Sequence, residues 1–193
     1  MSAPPPMGQA ALLLAEIERL KADIAQAQRT IAVLEARADI DPSLDILNRR
    51  GFERELKCSL AYLQRYKGEA ALLLIDLDGF KAVNDRHGHA AGDALLKAVA
   101  AELSAHVRAS DVVARLGGDE FGVLLWNLGQ QQAAMKARDL ENLIAAVAIA
   151  HGEARLSVGA SAGWVALAAT ATPAQMIDAA DMAMYARKKE RRG

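Results

Sequence analysis

The chain has 193 residues, of which 52% are apolar and 24% are charged, and its formal net charge is −1. This composition can bury a sizeable core, which excludes global disorder, and the near-neutral charge argues against a generic basic nucleic-acid binder. Cys58 is the single cysteine, which excludes an internal disulfide and a cysteine-rich zinc site.

The first segment, residues 1–8 (MSAPPPMG), is rich in proline and is predicted to be disordered. It lacks the basic start and the long apolar stretch of a secretory signal. No apolar run of the sequence reaches the roughly 18 residues that a membrane span needs. We therefore expect a cytoplasmic protein with no membrane span.

Residues 9–40 are predicted to form a stalk helix with a heptad repeat. Apolar residues recur at alternating spacings of four and three, at Leu13, Ile17, Leu20, Ile24, Ala27, Ile31, Leu34 and Ala38. Isoleucine recurs at one heptad position and leucine at the other, which favours a parallel two-stranded coiled coil. The alternative is a helix that packs on its own domain, but a narrow apolar stripe with charged flanks favours the coil. The helix is expected to end before Pro42, because a residue that precedes proline is pushed out of the α region.

Residues 41–193 mix helix and strand patterns and are predicted to form one α+β domain. Helices are predicted at 49–67, 89–107, 130–149 and 173–189, and strands at 70–78, 111–116, 120–126 and 155–167. The run AALLLIDLD (70–78) is apolar almost throughout, which is typical of a strand buried on both faces. The strands at 111–116 and 120–126 flank a short glycine turn, which indicates a hairpin. We expect helices around one mainly antiparallel sheet.

Acidic residues stand where two of these strands end. Asp76 lies near the end of the apolar run, and Asp119 and Glu120 lie in the hairpin turn. If the two strands are neighbours, these carboxylates converge and repel each other. A hard divalent cation would relieve that repulsion, and oxygen ligands suit Mg²⁺. Gly117 and Gly118 would let a phosphate approach the backbone. The alternative is a solvated hairpin tip beside a strand end.

Several motifs together resemble the GGDEF family of diguanylate cyclases. They are LNRRGF (47–52), DLDGFKAVNDRHGHAAGD (76–93), RLGGDEF (115–121), SAG (161–163) and ADMAMYARKK (180–189). Their order and spacing match the family over roughly residues 40–190, and linked motifs are far more specific than a lone glycine-rich loop. The resemblance implies a fold like the palm of nucleotidyl cyclases and polymerases. It also implies that two GTP molecules are condensed into cyclic di-GMP, with release of two pyrophosphates.

The resemblance further implies a site for Mg²⁺, with Mn²⁺ as an alternative. Asp76 and Glu120 would hold the metal together with the carbonyl of Leu77. Asp119 would assist catalysis, either by binding metal or by activating the 3′-hydroxyl. The chemistry agrees, because a metal ion neutralises the triphosphate and polarises the α-phosphate.

Other residues are implied to bind the GTP substrate. Asn84 and Asp93 match the family's guanine readers. If adenine bound in place of guanine, their polar groups would be left without hydrogen-bond partners, and this cost would favour guanine. Read without the motif, Asp93 could instead cap the following helix. The remaining substrate residues implied by the resemblance are Gly117, Gly118, Phe80, Lys81 and Lys188, with the two lysines at the phosphates.

The segment RASD (108–111) resembles the family's inhibitory RxxD site, where the product binds away from the catalytic site. Arg108 would clamp a guanine or a phosphate, and Asp111 would read a guanine edge. Arg138 lies near the place of a secondary arginine of that site. The alternative is a surface ion pair, which contributes little to stability.

A catalytic site of this family holds one GTP, so the resemblance implies a homodimer, which the stalk heptads would pair. At the junction, Ser43, Leu44 and Asp45 replace the family's usual Leu, Thr and Gly, so we expect altered coupling to the stalk or lower activity. The stalk is also where an upstream regulator could act. The alternative function is a catalytically weak or inactive receptor for GTP or cyclic di-GMP, against which the intact GGDEF signature speaks.

Overall fold

The computed structural model describes residues 7–192, and the chain divides into two units between residues 38 and 39. The first unit is the helix α1 (Met7–Ala38), which begins two residues before the predicted stalk. The predicted disorder of residues 1–6 falls outside the described residues and stays a prediction.

The apolar repeat of α1 is exposed in the single chain. Between 45% and 62% of the surface of each of these residues is accessible: Leu13, Ile17, Leu20 and Ile24. The side chains of Ile31 and Leu34, which continue the repeat, lie outside the described residues. A stripe of this kind on an otherwise charged helix is the surface that a coiled coil buries.

The second unit begins at Asp39 and contains one five-stranded sheet, a small hairpin and five helices in its described residues. Its elements in chain order are β1 (Leu47–Asn48), α2 (Arg49–Tyr66), β2 (Ala70–Asp78), α3 (Phe80–His87), α4 (His89–Ala105), β3 (Val112–Gly117), β4 (Glu120–Trp126), α5 (Gln130–Ala146), β5 (Ile149–His151), β6 (Ala154–Leu156), β7 (Gly159–Ala166) and α6 (Pro173–Arg192). Among the helices that the structure describes, none has both the length and the apolar character needed to cross a bilayer.

The main sheet has the strand order β1-β3-β4-β2-β7. Three of its pairings are antiparallel and the short β1 runs parallel to β3, so the predicted mainly antiparallel α+β architecture is confirmed. Helices cover both faces, with α2 and α6 on one and α4 and α5 on the other. Strand β2 is central and alternates between the two cores, with Leu72 in one and Leu73 in the other. Burying each such leucine contributes about 2 kcal/mol.

Three elements of the domain were not predicted from the sequence. The strand β1 has two residues, and α3 is a helix of eight residues that follows Gly79 in a left-handed conformation (φ 84°). The segment predicted as one strand over 155–167 divides into β6 and β7, and β6 pairs with β5 where the end of a helix was expected. Short elements carry too few residues for a periodic signal, so their boundaries depend on tertiary pairing.

Candidate functional site

The acidic residues of the two strands meet at one edge of the sheet, as their sequence positions predict for neighbouring strands. In the register of β2 and β4, Asp76 lies directly opposite Glu120. The next residue of β2, Leu77, donates its backbone N–H to the carbonyl of Asp119 at 3.1 Å. We call the group formed by Asp76, Asp119 and Glu120 the acidic edge.

The glycines before these acids shape the turn between β3 and β4. Gly117 and Gly118 have φ angles of 150° and 52°, which side chains disfavour, and a bulge shifts the register after Arg115. A Cβ atom at either glycine would meet nothing within 4 Å, so the outer surface of the turn is open. Behind it, Arg115 donates from Nε and Nη2 to the carbonyl of Gly118 at 3.0 and 2.9 Å.

Asp76 and Glu120, which lie opposite each other on β2 and β4, each also lie near a basic side chain from a helix. Lys188 of α6 forms an ion pair with Asp76, and both side chains are largely buried. Arg49, at the start of α2, lies 3.5 Å from Glu120 through Nη2 and donates from Nε to the carbonyl of Leu116 at 2.8 Å. Lys188 was predicted to be at the site. Arg49 belongs to the quoted LNRRGF motif but was assigned no role.

The surroundings of the acidic edge disfavour the ionised form of Glu120. Partial burial raises the pKa of Glu120, and the Arg49 guanidinium opposes this. The negative charges of Asp76 and Asp119 raise the pKa further, as does that of Asp181 on α6. The site therefore carries uncompensated negative charge, which a cation would relieve.

This donor set fits a hard divalent cation that shares its ligands with a substrate. Over residues 7–192, no three His, Cys, Asp or Glu side chains are grouped closely enough to hold an ion among themselves. Mg²⁺ commonly takes only one or two carboxylates from a protein and completes its shell with substrate phosphates and water. The facing pair of Asp76 and Glu120 supplies that number.

The predicted guanine readers lie on the adjacent helices α3 and α4. Asn84 packs over Gly92, where an added Cβ would come within 1.9 Å of its Oδ1 atom. Asp93 is the next residue and is exposed. It is the fifth residue of α4, which begins at His89, so the helix-cap interpretation is wrong. Of the other predicted residues on α3, Phe80 is buried in the core and Lys81 is exposed.

The RASD segment forms a turn that its own aspartate holds together. Asp111 Oδ2 accepts from the backbone N–H of Arg108 at 2.9 Å, and Oδ1 accepts from the N–H of Trp126 at 3.0 Å. Arg108 is exposed, and both residues line a cavity of about 400 Å³. Asp111 therefore joins the turn to the end of β4 without any ligand. The Arg108 side chain has no comparable structural role among the described residues.

Arg138 lies elsewhere. It lines a second cavity, of about 350 Å³, together with Glu141 of α5, Trp164 of β7 and Arg187 of α6. The structure thus does not bring Arg138 together with Arg108 and Asp111 in one cavity, and its predicted part in product binding stays a prediction.

The junction after residue 38 is tied to the glycine turn. Asp41 Oδ1 accepts from the backbone N–H and the hydroxyl of Ser43, at 2.9 and 2.6 Å. Arg115, which donates to the carbonyl of Gly118, also donates from Nη1 to Asp41 Oδ2 at 3.4 Å and to Ser43 Oγ at 3.3 Å. Asp45 has a φ of 55°, the conformation that explains why a glycine suits this place.

Comparisons with known proteins agree with the geometry. A family described as "Diguanylate cyclase, GGDEF domain" matches residues 38–193. The chain is 40% identical over 175 residues to the probable diguanylate cyclase DgcE of Escherichia coli K12, covering 89% of this chain and 16% of that protein. It is 38% identical over 188 residues to the diguanylate cyclase TpbB of Pseudomonas aeruginosa PA14, covering 94% and 41%. The chain thus spans less than half the length of both relatives.

Among solved structures, the chain is similar to the diguanylate cyclase SiaD of Pseudomonas aeruginosa, whose crystal structure is a complex with its activator SiaC. The TM-score is 0.77 at 28% sequence identity, over 94% of this chain and 70% of that one.

Proposed function

Since this chain belongs to the GGDEF domain family of diguanylate cyclases, we propose that it condenses two GTP molecules into cyclic di-GMP and two pyrophosphates. The observation that carries the proposal is the register that sets Asp76 opposite Glu120, beside Lys188. A facing pair of carboxylates with an adjacent lysine supplies both a cation site and a phosphate contact.

In the proposed reaction, the 3′-oxygen of each GTP forms a bond to the α-phosphorus of the other, and its proton passes to Asp119 or to water. The bond from that phosphorus to the β-phosphate bridging oxygen breaks, and pyrophosphate leaves. Asp76 and Glu120 would hold Mg²⁺ or Mn²⁺ with the Leu77 carbonyl, and the bound metal supplies charge neutralisation at the triphosphate. Asp119 assists at the 3′-hydroxyl or as a further ligand.

The other residues of the chain orient the nucleotide. Asn84 and Asp93 lie on adjoining helices, and the close packing of Asn84 on Gly92 supports a shared guanine pocket. Lys188 exchanges its ion pair with Asp76 for the phosphates, and Lys81 lies exposed at the start of α3, where it can reach them. The open turn at Gly117 and Gly118 leaves room for the substrate.

We also propose that the enzyme works as a homodimer paired through α1, because one site holds only one GTP. The exposed repeat of Leu13, Ile17, Leu20 and Ile24 supports this. The stalk is further proposed as the place where a regulator acts, and the SiaD–SiaC complex is a precedent for an activator of a related cyclase. GTP is a cytoplasmic nucleotide, so we propose that the domain works in the cytoplasm.

Product inhibition is proposed at the RASD turn. Arg108 is exposed beside a cavity of about 400 Å³, and a guanidinium can bind a guanine edge or a phosphate with two parallel hydrogen bonds. Asp111 still has free lone pairs after accepting two backbone N–H groups, since each carboxylate oxygen can accept twice.

The activity is tested by incubating the purified chain with GTP and Mg²⁺ and separating the nucleotides by chromatography. We expect cyclic di-GMP from the wild type and none from an Asp119→Ala/Glu120→Ala double variant. Product from that double variant would disprove the site. No product from the wild type, with tight cyclic di-GMP binding that Arg108→Ala abolishes, would instead establish the receptor function.

The dimer is tested by sedimentation with Ile17→Asp/Ile24→Asp, two substitutions that would place like charges opposite each other in the exposed stripe. We expect a shift to monomer and loss of activity at low protein concentration, whereas the surface variant Lys21→Gln stays dimeric. A dimer that survives the double substitution would place the pairing surface outside α1.

A further inference from the structure

A buried carboxylate of α5 lies outside the acidic edge and has no part in the proposed function. Glu141 is 3% exposed, on a helix whose other buried residues are mostly apolar. It accepts from Arg187 Nε at 3.1 Å through Oε1 and from Arg187 Nη2 at 2.8 Å through Oε2. Arg191, one helical turn further along α6, lies 3.5 Å from the same Oε2 through Nη1.

The same carboxylate also holds the free edge of the sheet. Glu141 Oε1 accepts from the backbone N–H of Ala162 at 2.9 Å, and Arg191 donates to the carbonyl of Ala160. Ala160 and Ala162 flank Ser161, which is the residue of β7 that pairs with Asp76. The network is therefore hydrogen-bonded to β7 on both sides of the residue that pairs with the acidic edge.

The helix α6 is fixed to β7 at a second point, one turn earlier. Gly163 lies so close to α6 that an added Cβ would come within 2.0 Å of the backbone nitrogen of Met184. Between this contact and Arg191, α6 carries Lys188, which forms the ion pair with Asp76. The rotation and height of α6 at these two points decide where the Lys188 ammonium lies.

The charges make this attachment strong and dependent on ionised Glu141. Burial opposes ionisation, but the hydrogen bonds from Arg187 and from the Ala162 N–H outweigh it, with help from the charges of Arg187 and Arg191. They hold the pKa of Glu141 below its usual range. Two guanidinium groups that converge on one buried carboxylate leave α6 few alternative positions.

We propose that Glu141 is a positioning residue for nucleotide binding, which through Arg187 and Arg191 fixes the end of α6 so that Lys188 reaches the triphosphate. The inference deepens the proposed function and depends on the role given there to Lys188. Glu141 itself touches no substrate.

The test is a double-mutant cycle on the full chain, with Glu141→Gln, Lys188→Gln and both together. Glutamine keeps the size and an oxygen for the Ala162 N–H but removes the charge that the arginines need. The probe is a GTP analogue with a methylene bridge between the α- and β-phosphorus atoms. It is titrated into each variant in the presence of Mg²⁺, and its binding is measured by calorimetry. No turnover is required, so a binding constant is measured for every variant.

We expect Lys188→Gln to weaken binding by about tenfold and Glu141→Gln by at least about threefold, with no further loss when both are combined, since coupled residues are not additive. Glu190→Gln is the matched control. Its carboxylate lies 3.5 Å from the same Arg187 but is 70% exposed, so binding should be unchanged. If Glu141→Gln does not fold, Arg187→Lys, which keeps the charge but loses the two-point contact, takes its place in the cycle.

Three results would overturn the inference. A loss from Glu141→Gln that is the same with and without Lys188 would mean that the carboxylate acts on general stability. A Glu141→Gln variant that binds like the wild type, while Lys188→Gln binds weakly, would refute the positioning role alone. If Lys188→Gln also binds like the wild type, the proposed phosphate contact fails, and the positioning role fails with it.

Discussion

The acidic edge and the RASD turn both contain carboxylates that the family resemblance assigns to ligands, but these carboxylates have different partners in the folded chain. At the edge, Asp76 and Glu120 are met by the long side chains of Lys188 and Arg49. In the turn, Asp111 is met by two backbone N–H groups, those of Arg108 and Trp126. Side-chain partners can leave for a ligand, whereas backbone partners hold the fold.

This difference determines how a variant at each place should be interpreted. A substitution at the edge is expected to remove the proposed activity and to leave the fold intact, since Arg115 donates to the turn and the ladder of hydrogen bonds holds the strands. A substitution of Asp111 removes a structural cap together with any ligand contact.

The largest effect is expected from Glu120→Gln, which should lower cyclic di-GMP formation by about 100-fold or more, as expected for loss of a charge that stabilises the transition state. The fold should not suffer. Because the pKa of Glu120 is raised in the folded chain, its ionisation costs stability as the pH rises through the raised pKa. Without metal, the variant should unfold at the wild-type temperature or above it at neutral pH.

The control for this experiment is Glu153→Gln, at an exposed position in the β5–β6 turn. It should change neither the activity nor the unfolding temperature. A Glu120→Gln variant that unfolds several degrees earlier than the wild type would show that the edge, too, holds the fold.

The next effect compares Asp111→Ala with Arg108→Ala. Loss of the carboxylate leaves two backbone N–H groups without their acceptor, so the free energy of unfolding should fall by about 1–2 kcal/mol. Arg108→Ala keeps its backbone N–H and should stay within about 0.5 kcal/mol of the wild type. Urea unfolding measures both.

The pair also separates fold from regulation, because only the arginine variant should lose product inhibition with its stability intact. Equal stability of the two variants would contradict the capping role of Asp111. Product inhibition that persists in Arg108→Ala would remove this turn from regulation.

A third effect is expected from Gly92→Ala, which acts on a side chain and not on the backbone. The new Cβ would lie 1.9 Å from Asn84 Oδ1, so Asn84 must rotate away from its place in the proposed guanine pocket. We expect the KM for GTP to rise about tenfold and discrimination against ATP to fall, since lost polar contacts reduce specificity. Steady-state kinetics with ATP as competitor measures both.

The effect of Gly92→Ala should vanish in an Asn84→Ala background, which serves as its control. A rise in KM that is the same in both backgrounds would mean that the substitution disturbs α4 itself.

The smallest effect is expected from Asp45→Gly at the junction. Asp45 is exposed and has a φ of 55°, which a glycine adopts without strain, so the variant should gain about 0.5 kcal/mol. Thermal unfolding measures this gain. The sequence alone predicts that the altered junction changes coupling or lowers activity, but the hydrogen bonds of Asp41, Ser43 and Arg115 do not involve the Asp45 side chain, so this substitution should leave activity unchanged. Activity that rises several-fold would show that the altered junction limits turnover.

The parts of the fold that the sequence predicts are those with a long periodic or apolar signal. The apolar run of β2 and the two strands around the glycine turn follow from residue type, and with them the meeting of Asp76 and Glu120. The start of α4 at His89 agrees with the predicted helix, and only the alternative interpretation of Asp93 as its cap was wrong, because Gly88 holds the cap position without a side chain that could signal it. The β5–β6 hairpin was missed because three-residue strands have no pattern of their own.

The residues around the candidate site to which the sequence assigned no role have partners far along the chain. A signal for Glu141 was present, since it falls in the buried stripe of Ala137, Leu140 and Ile144 and so breaks an apolar face. Nothing in the residue order reveals that its partner is Arg187, 46 positions away. Arg49 and Asp181 likewise reach Glu120 only through the packing of α2 and α6 on the sheet.

The side chains that cover β7 affect whether the sheets of two copies of the domain can associate edge to edge. An uncovered outer strand is a template on which a second molecule can continue the sheet, and a paired stalk would keep two such templates at high local concentration. At Ala160 and Ala162 the outward backbone groups already have partners in Arg191 and Glu141, while β1 at the opposite margin is only two residues long. Two domains paired as proposed would thus lie near each other without their sheets joining edge to edge into an aggregate.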